Sequence, residues 1–271
     1  GERASQCHPA GHLAPMMLSR SAAALGSQLP YSLGMPGNMW DAPEPPPGDL
    51  DLRILNVAAA PAEQPGALQI VLNTSRGDIR GLLHPVEGGA NAVVCVGGAM
   101  GGLDGPAGRL YARLPALLAA DQITVLRIDY RQPNELEECA LDALAACSFL
   151  KGIGASGVVL VGHSFGGAVV IKAGELAPIV RGVVSMSPQL HGARGVDSLN
   201  RPLLLIHGMA DTILGHEASE QIYSHALEPK RIVLYADVGH SLVEAKDKID
   251  ALVTDWIPAC LAGESLQREP E

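Results

Sequence analysis

Val158-Val159-Leu160-Val161-Gly162-His163-Ser164-Phe165-Gly166-Gly167 decides how this 271-residue chain is read. Four β-branched or long apolar residues in a row predict a strand buried on both faces. The small apolar residues that follow, Ala168, Val169, Val170 and Ile171, predict a helix. Between them lies G-x-S-x-G. A serine at so sharp a strand-to-helix turn must take a strained backbone, and glycines two residues away on either side let the chain segments pass closely. The hydroxyl then stands clear of the sheet, and the first amides of the helix point at any anion that forms beside it. The pattern alone is weak, because glycine and serine are common. Its place between a buried strand and a helix makes it specific.

Working outward, similar short apolar runs recur at Ala92–Val96, Ile123–Ile128, Val183–Met186, Leu203–Ile206 and Ile232–Tyr235. Three earlier segments, Leu52–Val57, Leu68–Leu72 and Asp78–Leu83, read as opening strands. Helical faces fill the gaps. Leu110, Leu114, Leu117 and Leu118 share one; Leu136, Ala140, Ala143, Leu144 and Cys147 share another, with Asn134 as candidate N-cap. Leu242, Ala245, Ile249, Leu252, Val253 and Trp256 form a last stripe. Alternating strands and helices predict an α/β class with a mostly parallel central sheet of about eight strands flanked by helices.

A serine hydroxyl needs a base to take its proton, and that base needs an orienting acid. Two later strands run into loops that supply them: His207-Gly208-Met209-Ala210-Asp211 and Ala236-Asp237-Val238-Gly239-His240. Both loops fall at the carboxyl ends of parallel strands, the edge that also carries Ser164 and where sites form in such sheets. Asp237 is a rival for the acid, on the same loop as the base. After the Met186 strand, Ser187-Pro188-Gln189 offers no carboxylate. His163 and His207 read as packing or hydrogen-bonding residues beside the turn, and His84, His191, His216 and His225 as surface residues, with His191 placed to line an entrance.

With Gly162-His163-Ser164-Phe165-Gly166, His207-Gly208-Met209-Ala210-Asp211 and Gly239-His240 in that order, residues 52 to 262 resemble the α/β-hydrolase family. The resemblance implies the α/β-hydrolase fold, Ser164 as nucleophile, His240 as general base and Asp211 as its acid. It also implies an oxyanion hole made of the Phe165 N–H and a second donor from Gly97-Gly98-Ala99-Met100-Gly101-Gly102, with Ala99 first and Met100 second. That loop is similar to the family's His-Gly-x loop, with Gly97 in place of the histidine, so the donor's position is open by about one residue. Only Ser187 to Arg201 separates two core strands where many members insert a helical cap, so no cap domain is expected. The chain resembles compact, capless members similar to dienelactone hydrolases and small acyl esterases, but has Ser164 where dienelactone hydrolases use Cys. Arg109 and Arg131, on catalytic-edge loops, and His191 are candidate substrate contacts. The plainer reading gives each arginine a carboxylate such as Asp104, Asp129 or Glu135. Met100, Phe165 and Leu190 are candidates for an apolar acyl wall.

Composition narrows the classes further. With 19 Lys+Arg against 29 Asp+Glu the net charge is −10, which argues against a nucleic-acid partner. Apolar residues make up 47% of the chain and aromatics 3%, so a core of aliphatic side chains is expected and whole-chain disorder is not. No run of about 18 apolar residues predicts a membrane span. The loop lacks G-x-G-x-x-G and the chain lacks a P-loop sequence; no metal-ligand spacing appears either, so no cofactor and no metal are expected. Cys7, Cys95, Cys139, Cys147 and Cys260 are odd in number and widely spaced, with Cys95 and Cys139 inside apolar patterns, which favours a reducing cytoplasmic or organellar compartment.

Residues 1–50 differ from the rest. They hold eight prolines and no lysine, and Pro43-Glu44-Pro45-Pro46-Pro47-Gly48 must be extended or turning. The chain opens on Gly1, which reads as a processed or engineered form. Met16 to Ser27 is faintly similar to an organelle transit segment, the plainer reading is a disordered or surface-draped extension, and a substitute lid over the open site is a further alternative. The expected division is an extension over 1–50, a hydrolase domain over 51–262 and a short polar tail over 263–271. The leading expectation is a serine hydrolase acting on a small carboxylic ester or thioester. Peptidase or acyltransferase chemistry on the same triad, and a ligand-binding protein on the same scaffold, are the alternatives.

Overall fold

The computed structural model describes residues 16–18 and 51–264. The Pro43–Gly48 stretch, Arg20 to Ser27, Cys7, any cover from residues 19–50 and the tail beyond 264 lie outside the described residues. One ten-stranded sheet runs in the order β1-β2-β3-β4-β6-β5-β7-β8-β9-β10. The strands are β1 (Met16–Leu18), β2 (Leu52–Pro61), β3 (Leu68–Thr74), β4 (Gly77–His84), β5 (Asn91–Val96), β6 (Ile123–Asp129), β7 (Gly157–His163), β8 (Val180–Met186), β9 (Leu203–Gly208) and β10 (Lys230–Tyr235). The helices are α1 (Pro106–Leu117), α2 (Leu136–Gly152), α3 (Phe165–Leu176), α4 (Glu217–His225) and α5 (Lys246–Ala262).

The count exceeds the expected eight because every opening segment pairs and Met16–Leu18 adds a further antiparallel strand against β2. β2, β3 and β4 form an antiparallel meander that joins the rest where β4 lies antiparallel to β6. From β6 to β10 every pairing is parallel. The central strands β5, β7 and β9 are buried along almost their whole length, as near-continuous aliphatic runs require. The edge strand β10 is half-buried throughout.

Two apolar layers sandwich the sheet. On one face α2, α3 and α4 bury Cys139, Val169, Val170 and Ile222 against β5, β7 and the meander. On the other, α1 and α5 bury Leu110, Leu114, Ile249, Val253 and Trp256 against Val93, Val159 and Ile206. Arg113 of α1 reaches Asp250 of α5 at 2.5 Å and ties the second layer together. Residues 187–202, between β8 and β9, contain a single 3-10 turn (Arg194–Ser198) and no cap domain.

Three local expectations need correction. Asn134 does not cap α2: it takes φ 68°, and Glu135 holds the cap position without a side-chain bond. α2 is buried on more than one side, because α3 packs beside it and β2, β5 and β6 also contact it. The last stripe is split, with Leu242 at the left-handed cap and Ala245 at the end of a 3-10 turn (Val243–Ala245) that precedes α5. α1 also opens unusually, since Ala107, Gly108 and Arg109 take left-handed φ before the right-handed helix begins.

Candidate active site

The chain leaves β5 through α1 to β6 on one side, then crosses back through α2 to β7 on the other. The strand order reverses between β5 and β7, and the crevice beyond their carboxyl ends is where this architecture places ligands. The loop after β5 carries Gly97–Gly102, and the turn after β7 carries Ser164. Ser164 holds φ 59° and ψ −122° between β7 and α3. That backbone is tolerable only because the neighbours are glycines. A Cβ on Gly162 would run into the Gly166 carbonyl, and a Cβ on Gly166 into the Gly97 carbonyl. The turn is fixed by Ser164 N–H donating to Met186 O at 2.8 Å and Gly167 N–H to Ser164 O at 2.9 Å.

His240 arrives from the loop after β10. Its Nε2 lies 3.1 Å from Ser164 Oγ and its Nδ1 lies 2.7 Å from Asp211 Oδ2. Gly208 makes this approach possible, since any Cβ there would strike the Val238 carbonyl. Asp211, on the loop after β9, has a side chain with 0% exposure. Its Oδ1 accepts the Ile213 N–H at 2.8 Å and the Leu214 N–H at 2.9 Å. Burial pushes this carboxyl up, but the Leu214 N–H, His240 and the Ile213 N–H together outweigh it, so it is held below the usual carboxylate range. Serine, imidazole and carboxylate therefore form one continuous hydrogen-bonded chain. Asp237, the rival acid, is exposed at φ 58° and takes no part in it.

The other two histidines of the site are also engaged. His163 Nε2 lies 2.9 Å from the main-chain oxygen of His240, and burial lowers the His163 pKa to about 4. A ring nitrogen facing a carbonyl must carry the proton, so His163 is a neutral donor that steadies the His240 loop. His207 Nε2 lies 3.2 Å from Asp211 Oδ2, the oxygen that also faces His240.

The Gly97–Gly102 loop closes through Gly101 N–H to Gly98 O at 2.9 Å, which puts Ala99 and Met100 at the centre of a turn. Gly98 faces Ser164: a Cβ there would lie 3.8 Å from Ser164 Cβ. Three side chains hold this loop, none of them anticipated from sequence. Tyr111 donates to Val96 O and Tyr130 to Gly97 O, each at 3.0 Å, while Asp129 Oδ1 accepts the Gly102 N–H at 2.9 Å. Their signal was present, because a buried tyrosine must find a partner for its hydroxyl and this chain has few aromatic residues. Phe165, the first residue of α3, is 3% exposed and stacks edge-on against Tyr130 with ring centroids 6.1 Å apart. Its side chain is thus core, not acyl wall. Leu190 packs partly against the same core, and Met100 is 91% exposed.

The expected substrate contacts fall differently. Arg131 has a side chain only 3% exposed, paired with Asp142 and with Glu138 at 2.8 Å, and also bonded to the carbonyls of Arg76 and Glu138. Its guanidinium faces the interior of the β4–β6–α2 junction, so it is a structural cation. The carboxylates are not those named from sequence, because α2 turns Glu138 and Asp142 inward. Arg109 pairs with Asp104 at 3.1 Å on the surface. His191 is exposed on the loop after β8, at the catalytic edge. His84 is not a free surface residue, since its Nε2 lies 2.9 Å from the Arg127 guanidinium. Cys95, Cys139, Cys147 and Cys260 are buried free thiols, and burial raises each pKa. Among the described residues no helix is long and apolar enough to cross a membrane, and no group of three or more His, Cys, Asp or Glu is placed to hold a metal ion.

This arrangement of elbow, loop and sheet defines the class: the chain belongs to the alpha/beta hydrolase family, which its residues 93–257 match. Among curated proteins it is similar to the uncharacterized protein YfhR of Escherichia coli (strain K12), 54% identical over 39 residues, a match that covers 14% of each chain. Solved structures of similar fold include Est1E from Butyrivibrio proteoclasticus, with a TM-score of 0.61 at 14% identity, covering 76% of this chain and 99% of that one. The dienelactone hydrolase of Anabaena variabilis aligns with a TM-score of 0.58 at 19% identity over 68% of this chain and 92% of its own. The acetyl xylan esterase of Paenibacillus sp. R4 aligns with a TM-score of 0.60 at 16% identity, over 74% and 87%. At these identities the likeness is one of fold.

Proposed function

We propose that the protein is a serine hydrolase that cleaves carboxylic esters or thioesters through an acyl-enzyme. The observation that carries this reading is the unbroken Ser164–His240–Asp211 hydrogen-bond chain at the strand reversal. Ser164 Oγ gives its proton to His240 Nε2 as it attacks the substrate carbonyl carbon. The N–H of Phe165 and that of Ala99, with Met100 one residue further on, are the donors available to the oxyanion. In comparable sites each such donor contributes about 3 kcal/mol. Asp211 holds the imidazole in the Nδ1–H tautomer and stabilises the imidazolium without taking its proton. Collapse expels the alkoxide or thiolate, which takes the proton from His240. Water then attacks the acyl-enzyme with His240 again as base, and the acid leaves.

Relatives of similar fold support an ester substrate: one bears the name acetyl xylan esterase, and Est1E is known in a complex with ferulic acid. Exposed Met100, Met209 and Ile213 stand within a few residues of the proposed oxyanion donors or the acid, which favours an uncharged, partly apolar substrate over a charged one. The test is hydrolysis of p-nitrophenyl acyl esters of increasing chain length. Turnover abolished in folded Ser164→Ala, a fall of at least about 10⁴-fold, is expected. Equal turnover by wild type and Ser164→Ala would contradict the reading.

A further inference from the structure

Asp211 serves two imidazoles. His207, the fifth residue of β9, has a side chain with 0% exposure, and its Nε2 lies 3.2 Å from Asp211 Oδ2, the same oxygen that faces His240 Nδ1 at 2.7 Å. That His207 nitrogen also lies 3.0 Å from the Leu214 carbonyl oxygen. Two acceptors on one ring nitrogen require it to hold a proton. The other ring nitrogen, Nδ1, lies 2.7 Å from the buried hydroxyl of Ser219 in α4. A hydroxyl can donate, so Nδ1 is free to be the acceptor. The ring is thereby set as the neutral Nε2–H tautomer by groups on two different elements.

The carboxylate's own accounts agree. Oδ1 takes two main-chain N–H groups, from Ile213 and Leu214. Oδ2 takes both His240 and His207, so four N–H donors match in number the four lone pairs of an ionised carboxyl. Three of those donors never change protonation during turnover. Only His240 does.

We infer that His207 is a positioning residue that shares Asp211 with His240. It locks the carboxylate's rotation and, by drawing on part of the Oδ2 charge, weakens the hold of Asp211 on a proton at His240. The inference rests on the serine-hydrolase reading above for its catalytic consequence. Its effect is to divide the Oδ2 charge between two imidazoles and to fix the carboxylate in one orientation. The titratable groups facing His207 are Asp211 on the loop after β9, His240 from beyond β10, and His163 at the end of β7. Burial lowers the His207 pKa against the opposing pull of Leu214 O and Asp211, which suits a donor that stays neutral.

Removing the His207 N–H leaves the full Oδ2 charge to His240. The acid limb of kcat/KM against pH should then move to higher pH in His207→Phe, by about half a unit to one unit. Ester hydrolysis near pH 6 should fall several-fold more than near pH 9, with the loss in kcat rather than KM. His207→Gln, which can still offer an N–H, should move the limb less. Ser219→Ala, which only frees the tautomer, should shift it in the same direction and covers the case in which His207→Phe does not fold. An unmoved acid limb in these folded variants would overturn the inference, because a residue that merely packs would lower the melting temperature and leave the limb in place. Proton-coupled ¹⁵N NMR of the histidine-labelled wild type reads the same arrangement without turnover. His207 should remain a neutral Nε2–H ring between pH 5 and pH 8, whereas an Nδ1–H ring, or an imidazolium above pH 6, contradicts it. A wild type that hydrolyses no ester would sink the hydrolase reading and leave this NMR result to decide the His207–Asp211 bond alone.

Discussion

His163 Nε2 donates to the main-chain oxygen of His240 across 2.9 Å, and the two imidazoles lie 4.8 Å apart with a tilt of 48°. The residue before Ser164 thus holds the loop that carries His240. This couples the shape of the elbow to the position of His240, although the two are 77 residues apart in the chain.

That relationship has a pH signature. Burial lowers the His163 pKa to about 4, below its ordinary value near 6.5. The unfolded chain therefore binds this proton at higher pH than the native protein does. Stability from His163 is fully present above about pH 6.5 and declines as the pH falls toward 4, by about 3 kcal/mol in all. Urea unfolding at pH 7.5 and pH 4.5 should show this loss in the wild type. His163→Gln, which keeps a donor but cannot titrate, should flatten it. An equal decline in both proteins would assign the pH dependence elsewhere.

Tyr130 holds the Gly97 carbonyl from below the proposed oxyanion loop. Tyr130→Phe removes one buried hydrogen bond worth about 1 kcal/mol and frees the peptide next to the proposed donor. We expect kcat on a p-nitrophenyl ester to fall by roughly tenfold, with KM little changed. A rise in KM alone would place Tyr130 in ground-state binding instead.

Gly208→Ala tests how His240 is carried. The added methyl would meet the Val238 carbonyl and displace the loop that bears His240, without touching Ser164, Asp211 or His240 themselves. A displacement near 1 Å at the reacting groups should cost on the order of 10²-fold in kcat. Activity equal to wild type would show that the loop adapts.

Arg131 separates structure from chemistry. Its guanidinium lies in a buried cluster with Asp142, Glu138 and Arg76. Arg131→Met leaves two inward carboxylates short of a cation and should destabilise the fold by about 3 kcal/mol. KM for neutral and anionic esters should stay as in the wild type, measured at a temperature where the variant is folded. A selective rise for anionic esters would return Arg131 to the substrate.

The comparison of sequence with structure is instructive at these same residues. The nine runs expected as strands all became strands, because aliphatic continuity and β-branching are local signals that the sheet merely assembles. Ser164, Asp211 and His240 could be anticipated as neighbours, since each follows a recognisable strand and parallel strands deliver their ends to one edge. What stayed hidden depended on long-range partners. The inward turn of Glu138 and Asp142 answers Arg76 and Arg131, which reach α2 from other elements, and no periodicity in α2 announces it. Likewise His84 and Arg127 meet only because β4 lies against β6. The left-handed opening of α1 belongs with a tertiary tie, the Ala107 N–H donating to Ser241 O at 2.7 Å.

The central claim is that Ser164 is an activated nucleophile. Intact-mass analysis after exposure to a fluorophosphonate tests it most directly, on the wild type, Ser164→Ala and His240→Ala. The account predicts one stoichiometric adduct on Ser164 in the wild type, none in Ser164→Ala, and labelling slowed by orders of magnitude in His240→Ala. A folded wild type that takes up no label, or takes it up at the same rate without His240, would contradict it.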